Sequence, residues 1–181
     1  PSGKAVDIPI ENGFVGMVDR AQFDEWLRER AVTAGAERED GLFESLTREN
    51  SNVRIHYRAR GARDSDHGSL KSVLAKSVIG ADGAKSQVGR SAGVKGCAEA
   101  NYVFAYHEII KTPQDAPSSF DASRCDVLYQ QPVSPDFYGW VFPHGDTISV
   151  GTGSADKGFS LRNAVGQLRK DIGLEHAELV R

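Results

Sequence analysis

The stretch SPDFYGWVFPHGDTISVGTG, residues 134–153, decides how the second half of the chain is read. FYGWVFPHGD and TISVGTG are both strand-like, rich in aromatic and β-branched residues. Tyr138, Trp140 and Phe142 alternate, so their rings share one face, with Gly139 on the other. Pro143 either ends this strand or sits at a sheet edge, because it has no N–H for a ladder. Three large rings in a row floor a long apolar pocket or belong to an ordinary hydrophobic core. After Gly145-Asp146, Gly151 and Gly153 alternate in the second run. They leave a flat backbone surface on which a planar or extended ligand can lie.

Working outward, NYVFAYHEII and CDVLYQQ read as further strands, separated by the loop TPQDAPSSFDAS. SLRNAVGQLRKDIG places Leu161, Ala164, Val165, Leu168 and Ile172 at helical spacing, with Ser160 as its cap. Toward the N-terminus, Asp19 with Gln22 resembles a capping box. A helix over residues 20–34 follows, with Phe23, Trp26, Leu27 and Ala34 on one apolar face and Gly35 as a left-handed stop. Leu42, Phe43 and Leu46 suggest a strand, Asn50-Ser51-Asn52 a turn, and VRIHYRAR a half-exposed strand. GARDSDHGS is a polar loop. LKSVLAKSVIGADG returns as a more buried strand that runs into Gly80-Ala81-Asp82-Gly83, and residues 84–90 form a short helix.

The 181 residues suffice for one ordinary domain or two small pieces. A net charge of -3 argues against a nucleic-acid binder, which needs a basic surface. No apolar run approaches the roughly 20 residues of a membrane-spanning helix, and PSGKAVDIPI is not a secretory signal. Cys97 and Cys125 have no metal-like spacing and read as free thiols. The chain opens on Pro1, which suggests a piece of a longer protein.

Several residues are candidates for chemistry, each with an ordinary alternative. Asp82 can accept from a ribose hydroxyl or orient water toward a diphosphate, and Gly83 lets backbone approach a ligand; Asp-Gly is also simply a good turn dipeptide. Arg20, in the first helical turn, is electrostatically disfavoured there, which a nearby diphosphate would explain; an ordinary surface arginine is the alternative. His107 and His144 are possible proton donors, although most isolated histidines are not catalytic. Cys125 could lie near a redox site, with a packed thiol as the plainer reading. No residue order commits the chain to hydrolysis, and no cluster is spaced for metal.

Three stretches together resemble the geranylgeranyl reductase family of FAD-dependent enzymes, within the p-hydroxybenzoate-hydroxylase-like flavoproteins. They are MVDRAQFDEWLRERAVTAGAE (residues 17–37), VIGADGAKSQVGR (78–90) and YGWVFPHGDTISVGTG (138–153). The last is similar to the family's Tyr-x-Trp-x-Phe-Pro signature with its trailing glycines. The wording around it looks most like the branch that reduces the geranylgeranyl tail in chlorophyll and bacteriochlorophyll synthesis.

The resemblance covers nearly the whole chain and carries several implications. The family's glycine-rich dinucleotide loop would precede these residues and its second flavin motif would follow them, so the chain corresponds to the middle of such an enzyme. The implied fold is α+β: residues 1–92 as part of a FAD-binding domain, and residues 93–181 as a mainly antiparallel substrate-domain sheet with a C-terminal helix. Arg20, Asp82 and Gly83 match flavin-contacting positions. Tyr138, Trp140, Phe142 and Pro143 match the substrate-side signature, and Gly151 and Gly153 its trailing glycines.

The implied activity is NAD(P)H-linked reduction of isolated C=C bonds, with FAD and NADPH as cofactors, or ferredoxin as donor in some relatives. The implied partner is a prenyl diphosphate or a prenylated tetrapyrrole. The implied location is cytoplasmic, with peripheral contact at photosynthetic membranes. An aromatic hydroxylase on the same scaffold and a non-catalytic prenyl- or tetrapyrrole-binding fragment are the alternatives. The chain by itself is expected to be inactive and to hold FAD weakly. No proton donor and no oligomeric state is assigned.

Overall fold

The computed structural model describes residues 3–60, 68–97 and 99–181. Most of the expected polar loop GARDSDHGS lies outside them. The chain divides into two compact units, one formed by residues 1–20 with 102–181 and the other by residues 21–101.

In the unit of residues 21–101, helix α1 (Arg20–Thr33) ends as its sequence predicts. Gly35 takes φ +98°, and Ala36 N–H reaches back to the Ala31 carbonyl at 3.0 Å, closing the last turn. The apolar stripe on α1 is real but uncovered: Phe23 and Trp26 stack at 5.8 Å, Arg30 lies 4.7 Å above the Trp26 ring, and Trp26 is 48% exposed.

Strands β1 (Gly41–Glu49), β2 (Asn52–Ala59) and β3 (Leu70–Ala75) form an antiparallel sheet in that order. The β1–β2 turn closes at Glu49 opposite Asn52, with Asn50 at φ +53°, a conformation that asparagine tolerates better than most residues. Two expectations fail here. β3 is a largely exposed edge strand, and the half-buried strand is β2, which is flanked on both sides. The third strand also stops at Ala75: no described strand pairs with Val78 or Ile79, and Ile79 is 91% exposed. The short helix begins later than expected, as α2 (Gln87–Ser91).

The other unit is built on an antiparallel sheet in the order β4-β7-β6-β5, comprising β4 (Phe104–Lys111), β5 (Asp126–Leu128), β6 (Gly139–His144) and β7 (Thr147–Ser154). Alternation sorts each strand into two faces. One face carries Ile110, Val141, Ile148 and Val150. It is covered by α3 (Leu161–Asp171) through Val165 and Leu168, with Leu174 completing the core. Fully burying such a side chain is worth about 1.5–3 kcal/mol, so the core sits here. Ser160 caps α3, its hydroxyl accepting from Asn163 N–H.

Arg169 fastens the end of α3 to β4. Its guanidinium donates to the Glu108 carboxylate at 2.6 Å and to the carbonyls of Leu174 and Ala177. Residues 178–181 run along the outer side of β4, where Ile109 N–H donates to Arg181 O and Val180 N–H to Ile109 O. The expected strands and C-terminal helix are thus present, and the mixed α+β architecture with antiparallel sheets agrees with the sequence reading.

Candidate functional site

The face of the β4-β7-β6-β5 sheet away from α3 carries the signature rings. Trp140 and Phe142 stack at 6.2 Å with planes 29° apart, and Tyr138, just before β6, meets the Trp140 ring edge-on at 6.1 Å. All three are half-buried. They are neither sealed in the core nor laid wholly open. β6 continues through Pro143 to His144, so the proline does not end it. β5 pairs with β6 only as far as Val141, which leaves Pro143 at a locally edge-like position.

Tyr138 borders a cavity. With Tyr129, Phe137, Gln130, Ser134 and Asp136 it lines an open groove of about 720 Å³. Phe137 and Tyr138 stack there at 4.2 Å. The loop forming this groove is pinned to the end of β7. Asp136 accepts from Ser154 Oγ at 2.6 Å and Ala155 N–H at 2.9 Å, Ser134 Oγ donates to Gly153 O at 2.8 Å, and Thr152 Oγ1 donates to Val133 O at 2.8 Å. The Ser154 hydroxyl, together with Ala155 N–H, holds the Asp136 carboxyl below the usual carboxylate range.

Gly151 and Gly153 are buried and do not offer bare backbone. A Cβ on Gly151 would fall 2.3 Å from Trp140 Cζ2 and 2.7 Å from His107 Cβ. On Gly153 it would fall 2.9 Å from Phe137 Cδ1 and 2.8 Å from Val103 Cγ1. The missing side chains make room for the chain's own rings, so the flat ligand platform expected at these glycines is already occupied.

A trio the sequence did not single out as a group lies on the same face. Trp140 Nε1 donates to Ser149 Oγ at 3.1 Å, and His107 Nδ1 lies 3.2 Å from the same oxygen. His107 is directly opposite Gly151 in the β4–β7 register, and Ser149 is opposite Phe142 in β6–β7. The signal for Ser149 was present in the small-residue alternation Ser149, Gly151, Gly153. That for His107 was not, because it depends on which strand lies beside β7. His144 ends β6, opposite Thr147.

The candidate cofactor residues fall in both units. Arg20 is exposed at the start of α1. In the other unit, Asp82 and Gly83 form the turn before α2. The Asp82 carboxylate accepts from Ser86 Oγ, from Gln87 N–H at 2.6 Å and from Val88 N–H at 3.0 Å. These bonds, the Ser86 hydroxyl foremost, hold its carboxyl below the ordinary range. Asp82 therefore acts first as a cap on α2. A carboxylate offers about four acceptor sites, which leaves capacity for a further donor. Gly83, at φ +82°, has open space where a Cβ would stand, so a ligand can approach its backbone.

Cys125 is exposed and Cys97 half-buried, its sulfur filling the space beside Gly89. Among the described residues, no helix is long and apolar enough to cross a membrane.

Residues 5–152 match a family model described as an FAD binding domain. Over all 181 residues the chain is 47% identical to geranylgeranyl diphosphate reductase of Rhodobacter capsulatus, of which it covers 44%. It is 34% identical to the chloroplastic geranylgeranyl diphosphate reductase of Oryza sativa, covering all of this chain and 40% of that protein. The chain spans less than half the length of these curated relatives. Among solved structures, a flavoprotein/dehydrogenase from Cytophaga hutchinsonii superposes with a TM-score of 0.67 at 16% identity, over 95% of this chain and 43% of the other. This likeness concerns the fold alone.

Proposed function

We propose, from the premise that the chain belongs to the FAD binding domain family, that it is the central part of a flavin-dependent reductase of isolated C=C bonds in a geranylgeranyl chain. The substrate is geranylgeranyl diphosphate or a geranylgeranylated tetrapyrrole on the route to chlorophyll or bacteriochlorophyll. NADPH recharges the flavin, and the protein works in the cytoplasm with peripheral contact to the membrane that holds such lipophilic molecules. In this reading residues 1–92 complete the flavin domain and residues 93–181 form the substrate side. The observation that carries the proposal is the Tyr138–Trp140–Phe142 ladder, which faces away from the core and adjoins a groove at Tyr138. The 47% identity to a named geranylgeranyl diphosphate reductase supports it.

Arg20, Asp82 and Gly83 would hold FAD at its diphosphate and ribose. Reduced FAD, when bound, supplies hydride to an electron-poor carbon. The chain's own residues would shelter and stabilise that electron-poor carbon. The ring ladder packs against a hydrocarbon tail and keeps water from it. The negative faces of the rings stabilise positive charge that develops at the more substituted carbon once the other carbon is protonated. Gly151 makes room for Trp140 and Gly153 for Phe137, and in this reading both glycines, with Pro143, belong to the substrate side.

The test is made in the complete protein. Trp140→Ala removes a cation–π partner worth about 2 kcal/mol when desolvated. It should slow prenyl reduction by about 30-fold while flavin content stays close to wild type. Loss of flavin with unchanged turnover per bound flavin would place these rings on the cofactor side. Oxygen-consuming turnover of a polar aromatic substrate would favour a hydroxylase, and prenyl binding without any reduction would favour a binding module. The chain of residues 1–181 alone is expected to elute colourless from gel filtration after incubation with FAD.

A further inference from the structure

Ser149 is 6% exposed and stands between the rings of Trp140 and His107 on the sheet face away from α3. The Trp140 Nε1–H donates to its hydroxyl oxygen at 3.1 Å. An indole N–H can only donate, and the hydroxyl keeps a proton of its own for His107 Nδ1, 3.2 Å away, when that nitrogen is unprotonated. The adjoining part of the same indole fills the hollow at Gly151. A Cβ there would fall 2.5 Å from Trp140 Cε2 and 2.3 Å from Cζ2. Two residues of β7 therefore hold one edge of the indole, Nε1–Cε2–Cζ2. The hydroxyl of Ser149 binds it, and the missing side chain of Gly151 admits it.

We propose that Ser149 is a positioning residue for the reduction and acts through Trp140, by keeping the indole N–H edge turned against β7 and away from the prenyl chain. The inference rests on the reductase reading given above, and its residues all lie in the unit that contains 102–181. An aromatic ring is negative on its faces and positive at its edge. A face stabilises a carbon that is gaining positive charge, whereas an edge turned toward it opposes that charge. An N–H without an acceptor also draws water, which a wall for hydrocarbon has to exclude. Trp140 is the middle ring of the ladder. It stacks on Phe142 with planes 29° apart and meets Tyr138 edge-on. Turning the indole over would break that stack and bring its N–H out among the rings. Ser149 prevents this by binding the edge, and Gly151 by leaving room for it.

The experiment is a double-mutant cycle in the complete protein, read as kcat and KM for prenyl reduction. Ser149→Ala should lower kcat about tenfold, the worth of a single hydrogen bond. KM should stay unchanged, because the charge that the ring faces exists only in the transition state. Trp140→Phe keeps a ring face and has no N–H to hold, so adding Ser149→Ala to it should cost no further rate. An equal loss in both backgrounds, or a raised KM with kcat intact, overturns the proposal, since Ser149 would then act on something other than the indole.

The hydrogen bond is read separately, from the indole ¹⁵N–¹H resonance that Trp140→Phe removes. Its proton should exchange with solvent slowly in the unaltered protein and about tenfold faster in Ser149→Ala. Exchange at the rate of a solvent-exposed indole in the unaltered protein overturns the proposal, and this reading does not need the Ser149 variant to fold. If the unaltered complete protein reduces no prenyl chain, the reductase reading fails and takes this role with it. If it reduces one and the two substitutions are simply additive, the role of Ser149 falls and the reductase reading stands.

Discussion

The β4-β7-β6-β5 sheet keeps Ile110, Ile148 and Val150 wholly out of solvent, whereas the β1-β2-β3 sheet has no fully buried side chain among the described residues. Both obey the same strand rules. Each is antiparallel, and each has turn residues that suit its backbone. The difference is the covering element. α3 lies across one face of the first sheet and supplies Val165 and Leu168, while in residues 21–101 the apolar stripe of α1 leaves Trp26 half-exposed. A strand's existence is thus a local property, and its burial depends on what packs against it.

The most extensive effect expected from this contrast is in amide hydrogen exchange. Backbone amides of β4 and β7 should exchange on the order of 100-fold more slowly than those of β1 and β3, since exchange follows local opening and core strands open last. Equal protection across the two sheets would erase the distinction. Next is Arg169→Met, which strips the Glu108 carboxylate of its charged partner and leaves it the Tyr106 hydroxyl, at a site where both ion-pair side chains are 12% exposed. Removing one member of such a pair costs about 3–5 kcal/mol, read as a shift in the denaturant midpoint of the unit holding α3. The same truncation in each unit sharpens the contrast: Ile148→Ala should cost about 2–5 kcal/mol, and Ile79→Ala about 0.5 kcal/mol or less.

The smallest effect is electrostatic. Asp136 and Asp82 both have folded-state pKa values below the unfolded carboxylate value, mainly through Ser154 and Ser86 respectively. The stability each contributes is therefore present above the unfolded pKa and is lost as pH falls through the folded one. Asp136→Asn should flatten the acid limb of thermal stability for the unit of residues 102–181, and Asp82→Asn that for residues 21–101. Melting curves recorded between roughly pH 6 and pH 2 check both, and an unchanged acid limb would remove these carboxylates from the account.

Much of this architecture was legible in the residues. The 3.6-residue spacing of Leu161, Ala164, Val165 and Leu168 located α3, and Gly35 located the end of α1. The alternation of Tyr138, Trp140 and Phe142 gave their common face. The failures have one physical origin, which is that pairing between distant segments is not written into either segment alone. Val78-Ile79 has the composition of a strand but no described neighbour to pair with. β3 looked buried because its apolar residues were counted without knowing that it sits at an edge. The glycines at 151 and 153 were read as a flat surface for a ligand, but the chain's own side chains occupy that space. Which ones could be known only once β6 and the Phe137 loop were set beside β7. His107 meets Ser149 across a separation of 42 positions, through a register that no local pattern records.

Pro143 has a consequence for solubility. Beyond the three residues of β5, the exposed flank of β6 runs through this proline, which has no hydrogen to offer an incoming strand, and the opposite flank of the sheet is closed by residues 178–181 along β4. Unpaired flanks are where β-proteins polymerise, and imino acids at such places block the first step of that growth. Pro143 thus guards the sheet against recruiting a stranger's strand, and its replacement by valine would turn a quiet margin into a template.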